Sequence, residues 1–315
     1  MVDVIRTRAL TKRYGRTLAL DGLDFAVGEG QVHGFLGPNG AGKSTTIRIL
    51  LGSARASGGT ATVFGGDPWR DAVALHRRIA YVPGDVSLWP NLSGGEAVDF
   101  LARLRGSGRD ETYRRERRRL EAVFQFDPRK KGRAYSKGNR QKAALIAAFA
   151  VPADLYVFDE PTSGLDPLME LVFRDELMRA RDAGATVLLS SHVLSEVEQV
   201  CDRVSIIRAG RIVETGTLGE LRHLTRTQVS FVSADADAAV SAIPRARDAR
   251  LENGRTHFSL DSDDVTAALP ALADLRVTDL RIEPPTLEEL FLRHYGREDE
   301  VADDQRPHTR RARRA

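Results

Sequence analysis

The chain has 315 residues, of which 42% are hydrophobic and 29% charged, and its formal net charge is only +3. This is the composition of a folded globular protein, long enough for a main domain plus an appendage, since single cores stop growing near about 250 to 300 residues. No run approaches the roughly 18 apolar residues of a membrane-crossing helix, so any membrane role is expected to be peripheral. The lone cysteine, Cys201, excludes an internal disulfide or a cysteine metal site within one chain.

The first ten residues, MVDVIRTRAL, lack the basic start, apolar middle and small-residue site of a secretory leader, so the expected location is the cytoplasm. Residues 2–9 and 31–36 are patterned as strands, and the second stops at a glycine-rich turn before the helical KSTTIRILLG. From 91 to 150 the pattern is helical, which predicts an inserted helical subdomain. It begins with PNLSGGEAVDFLARL, where Ser93 as N-cap and Glu96 three residues later form a capping box. Arginine-rich stretches in the 102–120 region, at 128–131 and at 310–315 read as solvated helix faces or a disordered end, and no nucleic acid is expected as a partner.

Further on, ADLYVFDEP reads as a buried strand and PLMELVFRDELMRARDAG as a helix ending at Gly184. Next, ATVLLSSH reads as a strand and VLSEVEQVCDRV as a helix. Strands alternating with helices imply an α/β fold with a parallel sheet. After about residue 222 the character shifts to short strands (TQVSFVSA, THFSLD) around DVTAALPALADL, a small α+β appendage ending near LEELFLRHYG. The expected division is a domain over 1–222 with its helical subdomain at about 91–150, an accessory domain over 223–296, and a disordered basic tail over 297–315.

GPNGAGKST, residues 37–45, fits the phosphate-binding pattern of glycine, four residues, glycine, lysine and a hydroxyl residue, set between strand and helix. Gly37, Gly40 and Gly42 let the backbone curl so that its N–H groups point at phosphate oxygens, with Asn39 and Thr45 in the same loop. Lys43 is the candidate partner of the β and γ phosphates of a nucleotide, and Ser44 a candidate ligand of Mg²⁺. The strand LYVFDEP delivers Asp159, a second candidate Mg²⁺ ligand, and Glu160, a candidate base for water attacking the γ-phosphate.

GPNGAGKST, LYVFDEPTSGLD and LLSSH, in this order and spacing, resemble the ATP-binding cassette family, the nucleotide-binding subunits of ABC transporters, from about residue 3 to 222. The resemblance implies a P-loop NTPase (RecA-like) core with an N-terminal antiparallel β subdomain, the helical insertion and the appendage. It also implies ATPase activity, and a homodimer in which a signature loop of each chain covers the ATP of the other. In this family the signature serine lies a little over twenty residues before the magnesium aspartate. Ser136 in YSKGN, 23 residues before Asp159, fits, and Ser93 in LSGG lies far too early. Ser136 and Gly138 are therefore the expected signature residues. Lys137 stands where the family has glycine, which either strengthens anion binding or restricts the loop.

The family pattern also places Tyr14 against adenine, Asp166 in the loop that crosses the dimer, and His192 at the γ-phosphate. Gly84 stands where a glutamine is usual; either Asp85 beside it supplies a metal ligand, or coupling works differently. The segment EPPTLEELFLRHYG resembles drug-exporter ATPases of the daunorubicin-resistance type. That implies export of a drug, antibiotic or other hydrophobic compound through a separate permease, the chain sitting peripherally on the inner face of the membrane. Two alternatives remain at this point: a non-transport ABC ATPase acting on nucleic acid or ribosomes, and an ATP-gated regulatory subunit with weak hydrolysis.

Overall fold

In a computed structural model, residues 2–106, 110–222, 226–233, 243, 245–261, 264–275 and 277–283 are described. Contacts divide the chain into two units, Met1–Thr217 and Leu218–Ala315.

The first unit starts with long strands whose apolar positions face inward. β1 (Asp3–Tyr14) pairs antiparallel with β2 (Thr17–Gly28) and with β4 (Gly58–Val63), a three-stranded sheet ordered β2-β1-β4. Ile5, Leu10, Leu20, Leu23 and Val27 are wholly buried and join one core with Phe35, Ile47 and Leu188.

The second sheet of this unit contains β3 (Val32–Leu36), β5 (Ile79–Val82), β6 (Leu155–Asp159), β7 (Thr186–Ser191), β8 (Arg203–Arg208) and β9 (Arg211–Thr217). Its order is β5-β6-β7-β3-β8-β9, and every pairing is parallel except that of β8 with β9. All residues of β3, β6 and β7 are buried, which is why these strands read as unbroken apolar runs. In register, Leu36 lies opposite Ser191 and Asp159 opposite Ser190, so β3, β6 and β7 end side by side. The loops leaving these carboxyl ends form the crevice where open α/β sheets bind ligands.

Helix α1 (Lys43–Leu50) follows β3, and the short α2 (Ala72–His76) precedes β5. Between β5 and β6 come α3 (Gly94–Leu104), α4 (Glu111–Val123) and α5 (Lys137–Phe149). Helix α6 (Pro167–Asp182) separates β6 from β7, and α7 (Leu194–Val200) separates β7 from β8. The expected helix VLSEVEQVCDRV is shorter than its pattern: Asp202 donates its N–H to Val32 O and accepts from Val32 N at 2.8 Å, pulling the chain off the helix and into β8. Cys201 is buried, and burial pushes its thiol pKa up. His33 is wholly buried with Nε2 2.9 Å from Ser205 Oγ; burial first, then Arg203, push its pKa down to about 3.

The second unit forms an antiparallel sheet ordered β11-β12-β10-β13, from β10 (Thr227–Val232), β11 (Arg247–Glu252), β12 (Arg255–Leu260) and β13 (Thr278–Glu283). Val229, Phe231, Ile243, Phe258 and Leu260 form its core with Ala268 and Leu272 of the helix Val265–Asp274. The expected LEELFLRHYG element and the tail 297–315 lie outside the described residues. Among the described residues no helix is long and apolar enough to cross a membrane.

Candidate functional site: a phosphate loop facing two carboxylates and a histidine

Leu36 ends β3, and the chain then turns through Gly37–Gly42 into α1. Two glycines are sterically required. A Cβ on Gly37 would overlap the Ile207 carbonyl, and Gly42 caps α1 with φ +116°, a backbone that side chains resist. Helix α1 has neither a side-chain cap nor an acidic residue in its first turn. Its free N–H groups and positive dipole end are therefore available to an anion. Asn39, Gly40 and Ser44 are exposed and Thr45 is half-buried. Lys43 is only 5% exposed; its ammonium folds back to donate to Gly37 O at 2.5 Å and Pro38 O at 3.3 Å. Burial lowers its pKa, while Glu160 and Asp159 act in the opposite sense.

From the next strands come the acidic and imidazole groups. Asp159, 8% exposed, accepts from Ser190 Oγ at 2.7 Å, which fixes its carboxylate at the tip of β6. Glu160 leaves the strand with φ +52°, a conformation costly for a residue with a Cβ and found where function over-determines the backbone. Its Oε1 lies 3.6 Å from Lys43 Nζ and 3.2 Å from Nδ1 of the exposed His192. Groups from the ends of β3, β6 and β7 thus converge on one oxygen.

Among the described residues no three His, Cys, Asp or Glu side chains cluster as a metal site. The oxygen donors Ser44 and Asp159 suit instead a hard cation such as Mg²⁺, which completes its shell with phosphates and water. Gly84 brings the loop after β5 against this corner: an added Cβ would lie 3.0 Å from Asp159 O and 3.5 Å from Glu160 Cβ. Asp85 beside it is exposed. Tyr14 is also exposed, with Lys12 Nζ 4.7 Å from its ring centre. Asp166 caps α6 by accepting from Met169 N at 3.0 Å.

The two serine–glycine helix starts differ in their hydrogen bonding. At α3 the Ser93–Glu96 capping box forms as the spacing predicts. Gly94 N donates to Lys130 O at 3.0 Å and Gly95 N to Pro128 O at 2.9 Å, so no first-turn donor is left over. At α5 Ser136 Oγ accepts from Asn139 N, leaving the N–H groups of Lys137 and Gly138 without an intrahelical acceptor. The Lys137 ammonium donates to Ser163 Oγ at 2.7 Å, and Gly138 packs so closely that a Cβ would overlap Gly164 O.

Comparison with known proteins assigns this arrangement to a family. The sequence model described as "ABC transporter" matches residues 20–163. The daunorubicin/doxorubicin resistance ATP-binding protein DrrA of Streptomyces peucetius is 35% identical, covering 91% of each chain. The chain belongs to the ABC transporter ATP-binding subunits. A second model, "ATP-binding protein DrrA1-3-like, C-terminal domain", matches residues 216–295. The bacitracin transport ATP-binding protein BcrA of Enterococcus faecalis is 32% identical over 77% of this chain and 79% of its own. A solved structure of an ABC transporter ATP-binding subunit superposes with a TM-score of 0.66 at 30% identity, covering 70% of this chain and 92% of that one. The protein is thus an ABC ATPase related to ATP-binding proteins of daunorubicin/doxorubicin resistance and bacitracin transport.

Several residues that shape the site of this ABC subunit are silent in the sequence. Ser190, which holds Asp159, looks like any strand serine until the β6–β7 register places it. Gln141 is buried in α5 and donates to Pro161 O at 2.9 Å. Arg140 ties the start of α5 to the loop after β5, donating to Tyr135 O at 2.9 Å and Val86 O at 3.2 Å. Four arginines of α4 pair with carboxylates: Arg114 and Arg118 with Glu111, Arg117 with Asp99 and Glu121, and Arg119 with Glu116 and Glu176.

Proposed function

We propose that the protein is the hydrolytic subunit of an exporter, with 1–222 as its nucleotide-binding domain and 223–296 as an accessory domain. Two copies close head to tail over two ATP molecules. Each ATP lies between the phosphate loop of one chain (Gly37, Asn39, Gly40, Gly42, Lys43, Ser44, Thr45) and Ser136 with Gly138 of the other. Tyr14 stacks on the adenine, and Asp166 lies at the closed interface. Closure then moves a separate permease, which exports a drug, antibiotic or other hydrophobic compound; the subunit sits on the inner face of the membrane through that permease. The names of the relatives, daunorubicin/doxorubicin resistance and bacitracin transport, support this substrate class.

The convergence of Lys43 and His192 on Glu160 Oε1, beside the phosphate loop, carries the reading. Glu160 orients a water and takes its proton as oxygen attacks the γ-phosphorus and the bond to the β-phosphate oxygen breaks. His192 holds Glu160 from one side. Lys43 exchanges its bonds to Gly37 and Pro38 carbonyls for the phosphates. Ser44 and Asp159, with Asp85 as a further ligand, would hold Mg²⁺, which neutralises phosphate charge. Because ATP touches both chains only when they close, it binds that state better and shifts the population toward it. A differential affinity of about 5.5 kcal/mol carries such an equilibrium from 1:99 to 99:1.

Light scattering of the Glu160→Gln protein with and without Mg-ATP tests this. The mass is expected to double with ATP, and Lys43→Ala to prevent it. An unchanged monomer mass at saturating ATP, with nucleotide demonstrably bound, would overturn the closed dimer.

A further inference from the structure

We infer that Glu196 is a positioning residue for hydrolysis, tying the segment that carries Glu160 to the segment that carries His192. The inference rests on the roles proposed for those two groups. Glu196 lies in the first turn of α7, half-buried, and its Oε2 accepts two hydroxyls: Thr162 Oγ1 at 3.1 Å and Ser191 Oγ at 3.2 Å. Thr162 follows Glu160 by two residues, and Ser191 immediately precedes His192. One carboxylate oxygen therefore bridges the exits of β6 and β7, the same two exits whose side chains meet at Glu160 Oε1.

The arrangement is more than a helix-end acid serving the dipole, which needs no partner outside its own helix. Val193, the N-cap of α7, has no side chain able to cap, and Ser191 Oγ accepts its N–H at 2.9 Å instead. The Ser191 hydroxyl thus fixes the turn through His192 and links it to Glu196. Pro161, the residue before Thr162, accepts a hydrogen bond from Gln141 of α5. Thr162 is the point where the loop after Glu160 is bound to the histidine segment. A half-buried carboxylate is costly unless hydrogen-bonded, and the two hydroxyls meet that need. Burial raises the pKa of Glu196, with the hydroxyls of Thr162 and Ser191 acting against it.

Losing the strap should let Glu160 and His192 drift while leaving the phosphate loop intact. In the full-length protein, Glu196→Ala is expected to lower kcat for Mg-ATP about 5- to 30-fold with KM within about twofold, since small misplacements at reacting groups cost up to about 100-fold. Glu196→Gln keeps an oxygen that accepts both hydroxyls and should restore kcat to within about threefold of wild type. Thr162→Val should lower kcat on its own and add little to Glu196→Ala, the signature of one shared interaction; it also serves if Glu196→Ala fails to fold. Amide exchange of residues 160–166 and 190–196 in the nucleotide-free protein should rise in Glu196→Ala and not in Glu196→Gln.

An Ala variant with wild-type kcat, a Gln variant as impaired as Ala, or a loss confined to KM would each overturn the strap. If Glu160→Gln left turnover intact, the proposed catalytic roles would fall and the inference with them. If Glu160→Gln abolished turnover while Glu196→Ala left kcat at its wild-type value, only the strap would fall. Should the wild-type chain show no turnover alone, unchanged exchange in Glu196→Ala overturns the strap and a rise in both segments upholds it.

Discussion

Two helices of one domain begin with nearly the same letters, Leu92-Ser93-Gly94-Gly95 and Tyr135-Ser136-Lys137-Gly138, and are finished in opposite ways. At α3 the backbone donors are consumed: Ser93 N by Glu96, Gly94 N by Lys130 O, Gly95 N by Pro128 O and Glu96 N by Ser93 Oγ. A carboxylate in its first turn also compensates the positive helix end. At α5 only the Asn139 donor is capped within the helix, and the first turn holds a lysine and no acid. The capacity of a helix start to accept an anion depends on donors left over, not on serine and glycine as such. Glycine serves different neighbours in each: a Cβ at Gly94 would overlap Tyr135 and Phe126, and one at Gly138 would overlap the Gly164 carbonyl.

The sharpest way to break this comparison is a paired substitution in the Glu160→Gln protein. Ser136→Arg should weaken ATP-dependent association at least about 100-fold, some 2.7 kcal/mol, whereas Ser93→Arg should leave it within about threefold in folded protein. Light-scattering titrations with ATP read both, and the reverse ranking would make α3 the trans-acting start. Next in size, Gly94→Ala overpacks Tyr135 and Phe126 and should cost about 1 to 3 kcal/mol in urea unfolding without altering the ATP response per folded molecule. A nucleotide response lost at unchanged stability would contradict the closed end. Smaller still, Ser93→Ala and Ser136→Ala should each cost about 1 kcal/mol as lost caps, with only the second also weakening association.

The smallest effect concerns pH. The carboxyl of Glu96 is held below the ordinary value of 4.5, by the Ser93 backbone N–H first, then by the Ser93 hydroxyl and Lys131. A lowered carboxyl contributes stability that is full above the ordinary value and is lost as pH falls through the lowered one. Acidification below about 4.5 should therefore loosen the start of α3, seen as faster amide exchange at residues 93–96. No matching change should occur at α5, which has no acid in its first turn. Equal acid sensitivity at both ends would remove this part of the contrast.

Much of the site was legible because its parts are contiguous in sequence. The phosphate loop announces itself through spacing alone, Asp159 and Glu160 follow an unbroken apolar strand, and the Ser93 capping box is visible in six letters. The extent of α7 was not legible: its pattern continues past Val200, and only the pairing of Asp202 with Val32 shows where it stops. Ser190, Gln141 and Glu196 were equally silent, since each acts through a partner from another element.

Sequence alone was enough to read the strand, glycine loop and helix over residues 31–50, the buried strands ending at Asp159 and Ser191, and which serine stands at the family's signature distance. These depend on local periodicity and fixed spacing along one chain. Which helix start keeps free donors, and which hydroxyls hold the carboxylates, was settled by packing between elements far apart in the chain. Those outcomes rest on Lys130, Pro128, Ser190 and Thr162, brought in from distant elements by strand order and register. A donor is free or satisfied according to what the fold places within about 3 Å of it, and no local pattern encodes that.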